Sequence, residues 1–208
     1  MNHRRLAQVL TAVLIVSPLL ACDSSSPTQP PASPVTVTAI SPAAGLSGDM
    51  LTVSGSGFRP GVTVMVGGTR ARVATVVDTL ITLIAPYREA GAVDVVVVNQ
   101  SGSSQTLVAG FTYEAVAIHV SSETAAAGSE LKVTWEAPGG RSAADWIGLF
   151  LLSDDNDHYG WHEPTGGVAS GTLSLTVPTQ PGRYEFRYLV RDVAAAHSAS
   201  VTVTPGGN

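Results

Sequence analysis

One cysteine in 208 residues, Cys22, rules out an internal disulfide, so any ordered part of this chain must be held together by its apolar core. Charge is scarce as well. Asp, Glu, Lys and Arg make up 13% of the residues, and with a net charge of −5 and no cluster of Lys and Arg to neutralise phosphates, nucleic acid is excluded as a partner. No stretch sustains a helical period, and no Gly-x-Ser-x-Gly elbow, His-Glu-x-x-His helix or Walker loop occurs, so no catalytic residue and no cofactor is expected. What the chain has is 44% hydrophobic residues, 21 Gly, 13 Pro and abundant Val and Thr, a composition that favours short strands joined by tight turns.

The N-terminus sets where those strands are expected to live. Arg4 and Arg5 precede an apolar run from Leu6 to Leu20, too short to span a bilayer as a mature helix and built like a signal peptide. An ordinary cleavage site wants small residues at both −3 and −1, but Leu19-Leu20-Ala21-Cys22 has leucine at −3. These four residues resemble the bacterial lipobox. That resemblance implies diacylglycerol on the Cys22 thiol and cleavage just before it, which removes Arg4 and Arg5 and takes the net charge to about −7. The twelve residues Asp23 to Pro34, with four prolines among small polar residues, have little to bury. In polyproline II geometry they reach roughly 35 Å, enough to clear lipid headgroups.

Order is expected from Val35. Val35, Val37 and Ala39 alternate with threonines, Ser41-Pro42 ends that strand, and Gly45 to Asp49 supplies a turn before Met50 to Ser54. Phe58 is a large apolar residue in a glycine loop, read as a plug beneath it. Val62 to Val66 and Thr69 to Val77 flank Gly67-Gly68, the spacing of a hairpin turn needing positive φ. Leu80 to Ala85, the valine-rich Ala92 to Val98, which reads as a central strand, and a last strand ending on Phe111 and Tyr113 complete about seven strands, the pattern of an antiparallel sandwich. Ile40-Ser41-Pro42, Val53-Ser54-Gly55-Ser56-Gly57-Phe58, Val66-Gly67-Gly68 and Gly110-Phe111-Thr112-Tyr113 resemble the IPT/TIG domain, which implies an immunoglobulin-like module. Such modules occur in receptors, adhesins, polysaccharide-acting enzymes and transcription factors, so fold alone does not select a function.

After the short Glu114 to Ala117 join, which predicts a fixed orientation, a second set of strands begins at Ile118. Leu131 to Trp135 alternates with period two, Asp145 to Leu152 reads as a mostly apolar strand, a polar loop is expected from Ser153 to about Gly171, and Arg183 to Arg191 alternates strongly. Gly182-Arg183-Tyr184-Glu185-Phe186 resembles the penultimate immunoglobulin strand. This implies that Tyr184 is a tyrosine corner and that Phe186 and Trp135 stand where a disulfide would. Asp145-Trp146-Ile147-Gly148-Leu149-Phe150 with Gly182-x-Tyr184-x-Phe186-x-Tyr188 is similar to SKICH domains and to the N-terminal sandwich of purple acid phosphatases, noncatalytic in both. Asp145 is read as tying down a turn, and His119 and His197 as surface or satisfied histidines.

One constellation stands out, Asp154 to Glu163, which packs acids, imidazoles and two aromatics into ten residues. It fails as a calcium loop because Tyr159 stands where a third oxygen ligand belongs and Gly166 where the closing Glu belongs. His158 and His162 are weak metal candidates, since four-residue spacing aligns ligands on a helix and Gly160 opposes one. Three readings follow: a solvated acidic loop with Trp161 packed inward, a ligand site using Asp157, Tyr159, Trp161 and His162, or a small metal-dependent hydrolase centred on the two histidines. The expected architecture is all-β, two tandem immunoglobulin-like antiparallel β-sandwiches after a signal peptide and Pro/Ser-rich tether. Its parts are signal 1–21, lipidated Cys22 and tether 22–34, first domain 35–114, second domain 115–205 and tail 206–208. The expected function is a non-catalytic binding or display lipoprotein of the bacterial cell envelope, lipid-anchored to the membrane, with an envelope protein or polysaccharide as partner.

Overall fold

The alternation of Val, Ile and Leu with Thr and Ser does produce strands throughout the computed structural model, which describes residues 34–206. The signal segment, Cys22 and the tether up to residue 33 lie outside the described residues. Among those residues the fold is all-β, without a helix.

The first sandwich comprises β1 (Thr36–Ser41), β2 (Ala44–Gly45), β3 (Met50–Ser56), β4 (Thr63–Val66), β5 (Thr69–Arg70), β6 (Arg72–Val77), β7 (Leu80–Ile84), β8 (Gly91–Val98) and β9 (Ser104–Tyr113). They form two sheets, in the orders β1-β3-β7-β6 and β2-β9-β8-β4-β5. Leu51, Val53, Ile81 and Leu83 of the first sheet and Val64, Val66, Val95, Val97 and Phe111 of the second are buried in one core, with Phe58 plugging its loop at 1% exposure. The run Thr69 to Val77, read from sequence as one strand, is two. Ala71 is 5% exposed, and its N–H donates to the Val64 carbonyl. There the chain leaves the β4 hairpin and crosses to pair with β7 in the opposite sheet. Period-two patterning cannot distinguish a continuous strand from one that changes sheets through a small buried residue.

The second sandwich comprises β10 (Ala117–Val120), β11 (Thr124–Ala126), β12 (Glu130–Glu136), β13 (Trp146–Leu151), β14 (Trp161–Pro164), β15 (Ser170–Thr176), β16 (Gly182–Val190), β17 (Val193–His197) and β18 (Val201–Thr204). One sheet runs β10-β12-β15; the other runs β11-β18-β16-β13-β14, with β17 also on β16. Leu131, Val133, Trp135, Ile147, Leu149, Phe186 and Tyr188 share the core. The Tyr184 hydroxyl donates to the Gln180 carbonyl at 3.0 Å, the bond expected of a tyrosine corner. The expected polar loop 153–171 is corrected by β14, which pairs antiparallel with β13 from Leu149↔Trp161 to Trp146↔Pro164. Four residues with two charged or imidazole side chains give too short a hydrophobic signal to be read as a strand.

A loop of the first sandwich completes the second. Leu46, 1% exposed, is buried within the second core. Asp49 of the same loop receives Arg141 Nη1 and Nη2 at 2.9 Å each, while Arg141 Nε donates to Asp145 at 2.8 Å. Burial alone pulls the Arg141 guanidinium toward the neutral form, but its bonds to Asp49 and Asp145 and their charges more than offset this and hold it protonated. Arg191 donates to the Gly48 carbonyl at 2.7 Å. Gly48 has φ +88°, and a Cβ there would meet the Val190 carbonyl oxygen at 2.3 Å, so both conformation and packing demand glycine. Tyr87 meets His197 edge-on at 5.7 Å. The fixed orientation expected from the short join therefore has a physical cause beyond the join itself.

Candidate functional site

β16 is buried on both faces, and the reason leads to the site. Its inward residues Tyr184, Phe186 and Tyr188 fill the core, while its outward residues Glu185, Arg187 and Leu189 are buried as well. The segment between β13 and β14 lies over them: Arg187 Nη2 donates to the Asp154 carbonyl at 2.8 Å and Nη1 to Asn156 Oδ1 at 3.0 Å. Arg187 is also paired with Glu185 at 2.7 Å and sits 4.4 Å above the Phe150 ring, and His197 is satisfied by Glu185 at 3.1 Å. The 154–160 segment is thus seated on a buried cation and is positioned by it.

Beside this seat lies a groove of about 720 Å³, between the segment joining β13 to β14 and the turn that follows β15. Tyr159 and Trp161 supply aromatic walls, Asp154, Asp157 and His158 one polar side, and Thr176, Thr179 and Gln180 the other. Tyr159 is 44% exposed. Trp161 is only half-buried: it packs on the second core, edge-on to Phe186 at 6.3 Å, with part of its ring left to line the groove. Trp161 thus combines the inward packing of the solvated-loop reading with the ligand-facing position of the ligand-site reading, because alternation along β14 turns residue 161 inward and residue 162 outward.

The four residues singled out from sequence therefore divide between two places. Asp157, Tyr159 and Trp161 line the groove, whereas His162 lies on the outer face among Ala144, Trp146, Tyr159 and Pro164. His158 and His162 line different concavities, and among the described residues no group of three or more His, Cys, Asp and Glu side chains is disposed to hold a metal ion. His158 Nδ1 is bonded to Asp155 at 2.6 Å. That bond, and then the Asp155 charge, raises His158 above the ordinary imidazole range and lowers Asp155 below the usual carboxylate range. Asp145 does tie down its turn, accepting Arg141, but it also accepts the Tyr188 hydroxyl at 3.2 Å within the buried interface. Sequence reading missed Thr176, Thr179 and Gln180 as groove residues, since they lie at the end of β15 and in the turn after it, outside the 154–163 cluster, and carry no motif.

Residues 34–114 match the family described as the IPT/TIG domain, nearly the span that the sequence motifs implied. Among curated proteins, a 58-residue stretch is 33% identical to a phosphatidylethanolamine N-methyltransferase of Neurospora crassa, covering 28% of this chain and 5% of that protein. A 78-residue stretch is 35% identical to the enzyme of the same name from Fusarium vanettenii, covering 36% and 7%. The chain spans only a small part of these relatives. Among solved structures, it is similar to an auxiliary nutrient binding protein from Bacteroides ovatus (17% identity, 83% of this chain, 38% of that one, TM-score 0.34). It is also similar to the B. ovatus mixed-linkage glucan utilization protein SGBP-B, bound to a heptasaccharide (14% identity, 85% and 47%, TM-score 0.31). A third is a B. thetaiotaomicron protein of unknown function (17%, 85% and 39%, TM-score 0.41). None of these likenesses assigns a ligand to this chain.

Proposed function

We propose that this chain is a non-catalytic binding lipoprotein of the bacterial cell envelope, whose working surface is the groove of the second sandwich. The observation that carries this reading is the groove itself: two aromatic walls and opposed polar sides, mounted on a segment clamped to buried Arg187. The aromatics offer faces to apolar C–H surfaces, and the carboxylates, hydroxyls and amide offer hydrogen bonds, a combination suited to polysaccharide.

Two substitutions separate binding from folding. A Cβ at Gly160 meets nothing closer than the Leu149 carbonyl oxygen at 3.9 Å, so the backbone there admits a side chain, and Gly160→Phe adds bulk to the groove lining. Gly160→Phe and Tyr159→Ala are each expected to weaken retention on envelope polysaccharide by about tenfold or more while the unfolding midpoint stays within a few degrees. Trp161→Ala, by contrast, is expected to lose stability and binding together, because its ring packs on the core. Undiminished polysaccharide retention by Tyr159→Ala and Gly160→Phe would remove the groove as the working surface.

Anchoring is the second part of the proposal. Cys22→Ser deletes the thiol that a diacylglycerol would occupy, and acyl chains anchor by about 0.8 kcal/mol per buried methylene. Labelling with a palmitate analogue should fall to background in this variant, and incorporation at the unsubstituted level would disprove the anchor.

A further inference from the structure

Tyr159 stands at a corner between two concavities. On one side is the groove; on the other, Ala144, Trp146, Tyr159, His162 and Pro164 line a second hollow of about 360 Å³. Both volumes fall within the range of about 300 to 1,000 Å³ typical of small-molecule sites. The second hollow is an aromatic platform whose rings brace one another edge-on, Tyr159 against His162 at 4.6 Å, Trp146 against Tyr159 at 5.2 Å and Trp146 against His162 at 5.6 Å. The indole N–H of Trp146 is already committed to the Arg191 carbonyl at 3.2 Å, so what Trp146 has left to offer is ring surface. Mutual bracing fixes these rings before any ligand arrives, which limits the ordering cost of binding.

Charge narrows the occupant. The groove lining carries the carboxylates of Asp154 and Asp157 and no Lys or Arg, and His158 is already paired with Asp155. The platform lining carries no Asp, Glu, Lys or Arg at all. A uronate or sulfate placed in the groove would meet two carboxylates and no cation but His158, which is already paired with Asp155, whereas a neutral sugar presents hydroxyls to them and C–H faces to the rings.

We infer that the ligand is an uncharged, extended oligosaccharide that runs from the groove over the Tyr159–Gly160 corner onto the Trp146–His162 platform, so that the two concavities are consecutive subsites. This rests on the groove being the binding site proposed above.

The test measures affinity for unbranched neutral gluco-, manno- and xylo-oligosaccharides from disaccharide to octasaccharide, with oligogalacturonates of matched length alongside. Affinity for a neutral series is expected to climb about tenfold or more from disaccharide to hexasaccharide and then level off, with the oligogalacturonates at least about tenfold weaker. His162→Ala, which removes a platform ring, and Ala144→Arg, which fills the hollow and leaves the rings in place, should both shrink the length dependence to less than about threefold. Gly160→Phe should weaken every length. Affinity independent of length, full length dependence in both platform variants, or oligogalacturonates bound as well as the neutral series would overturn the inference and leave the groove standing. No binding of any oligosaccharide by the unsubstituted protein would overturn the inference and the polysaccharide reading of the groove together.

Discussion

Trp135→Ala is expected to destabilise the protein by about 3 to 5 kcal/mol. Trp135 is 4% exposed and lies across Gly171 of the paired strand β15, so closely that a Cβ at residue 171 would sit 2.1 Å from the ring. No neighbouring side chain occupies that glycine's place. Removing the indole therefore leaves a cavity walled on one side by bare backbone, which cannot collapse to fill it. The indole N–H also donates to the Val168 carbonyl at 3.4 Å, tethering the approach to β15, and that bond goes with the ring. The second sandwich has no disulfide to share the load. For a cooperative unit of this size the midpoint of thermal unfolding should fall by about 6 to 20 °C, at roughly 2 to 4 °C per kcal/mol. A drop of only a degree or two would mean that the core repacks around the vacancy.

Arg141→Ala is expected to cost a similar amount, about 3 to 5 kcal/mol, for an electrostatic reason. The Arg141 side chain is 10% exposed, and it serves Asp49 at 18% and Asp145 at 3%. Its loss strands two largely buried carboxylates: Asp145 keeps only the Tyr188 hydroxyl as a side-chain donor, and Asp49 keeps the Leu46 N–H. Exposed pairs such as Arg72 with Asp192, both half or more exposed, carry no such penalty and are worth little. The discriminating comparison is Arg141→Met combined with Asp49→Asn and Asp145→Asn, which removes the stranded charges along with their partner and should recover much of the loss. Denaturant midpoints of the single and combined variants measure this. A single variant within about 1 kcal/mol of the parent would show that water reaches and solvates the cluster.

Much of this could be read from sequence because it is written in local periods. The alternation of Leu131 to Trp135 placed Trp135 inside, the mostly apolar run at β13 marked a buried strand, the immunoglobulin-strand resemblance put Phe186 in the core, and one glycine pair marked the hairpin at 67–68. Phe58 announced itself as a large apolar residue among glycines. Leu46 is the same kind of signal in the Gly45 to Asp49 turn, yet the socket it fills belongs to residues more than a hundred positions away in part, such as Phe186, and no local pattern points there. Arg141, just after Pro138-Gly139-Gly140, carries no pattern that sequence reading could use, because its two partners are drawn together only by the meeting of the sandwiches. The candidate site was half legible: Tyr159 and Trp161 were found as a cluster of aromatics, but β14 separates adjacent residues onto opposite faces, and the polar wall from the 178–180 turn is assembled by tertiary contact alone.

The Leu46 loop has a consequence for how the molecule breathes. A short surface turn ordinarily opens and closes by itself, with its amides trading hydrogen with water at little cost. Here such an opening must draw Leu46 out of a foreign core, part Asp49 from Arg141 and break the Gly48 amide from the Ala85 carbonyl. Slow hydrogen exchange at 46–49 would therefore report on the integrity of a sandwich to which those residues do not covalently belong. The two modules then behave as one foldon, and damage to the core beneath the groove is felt as loosening of a turn in its neighbour.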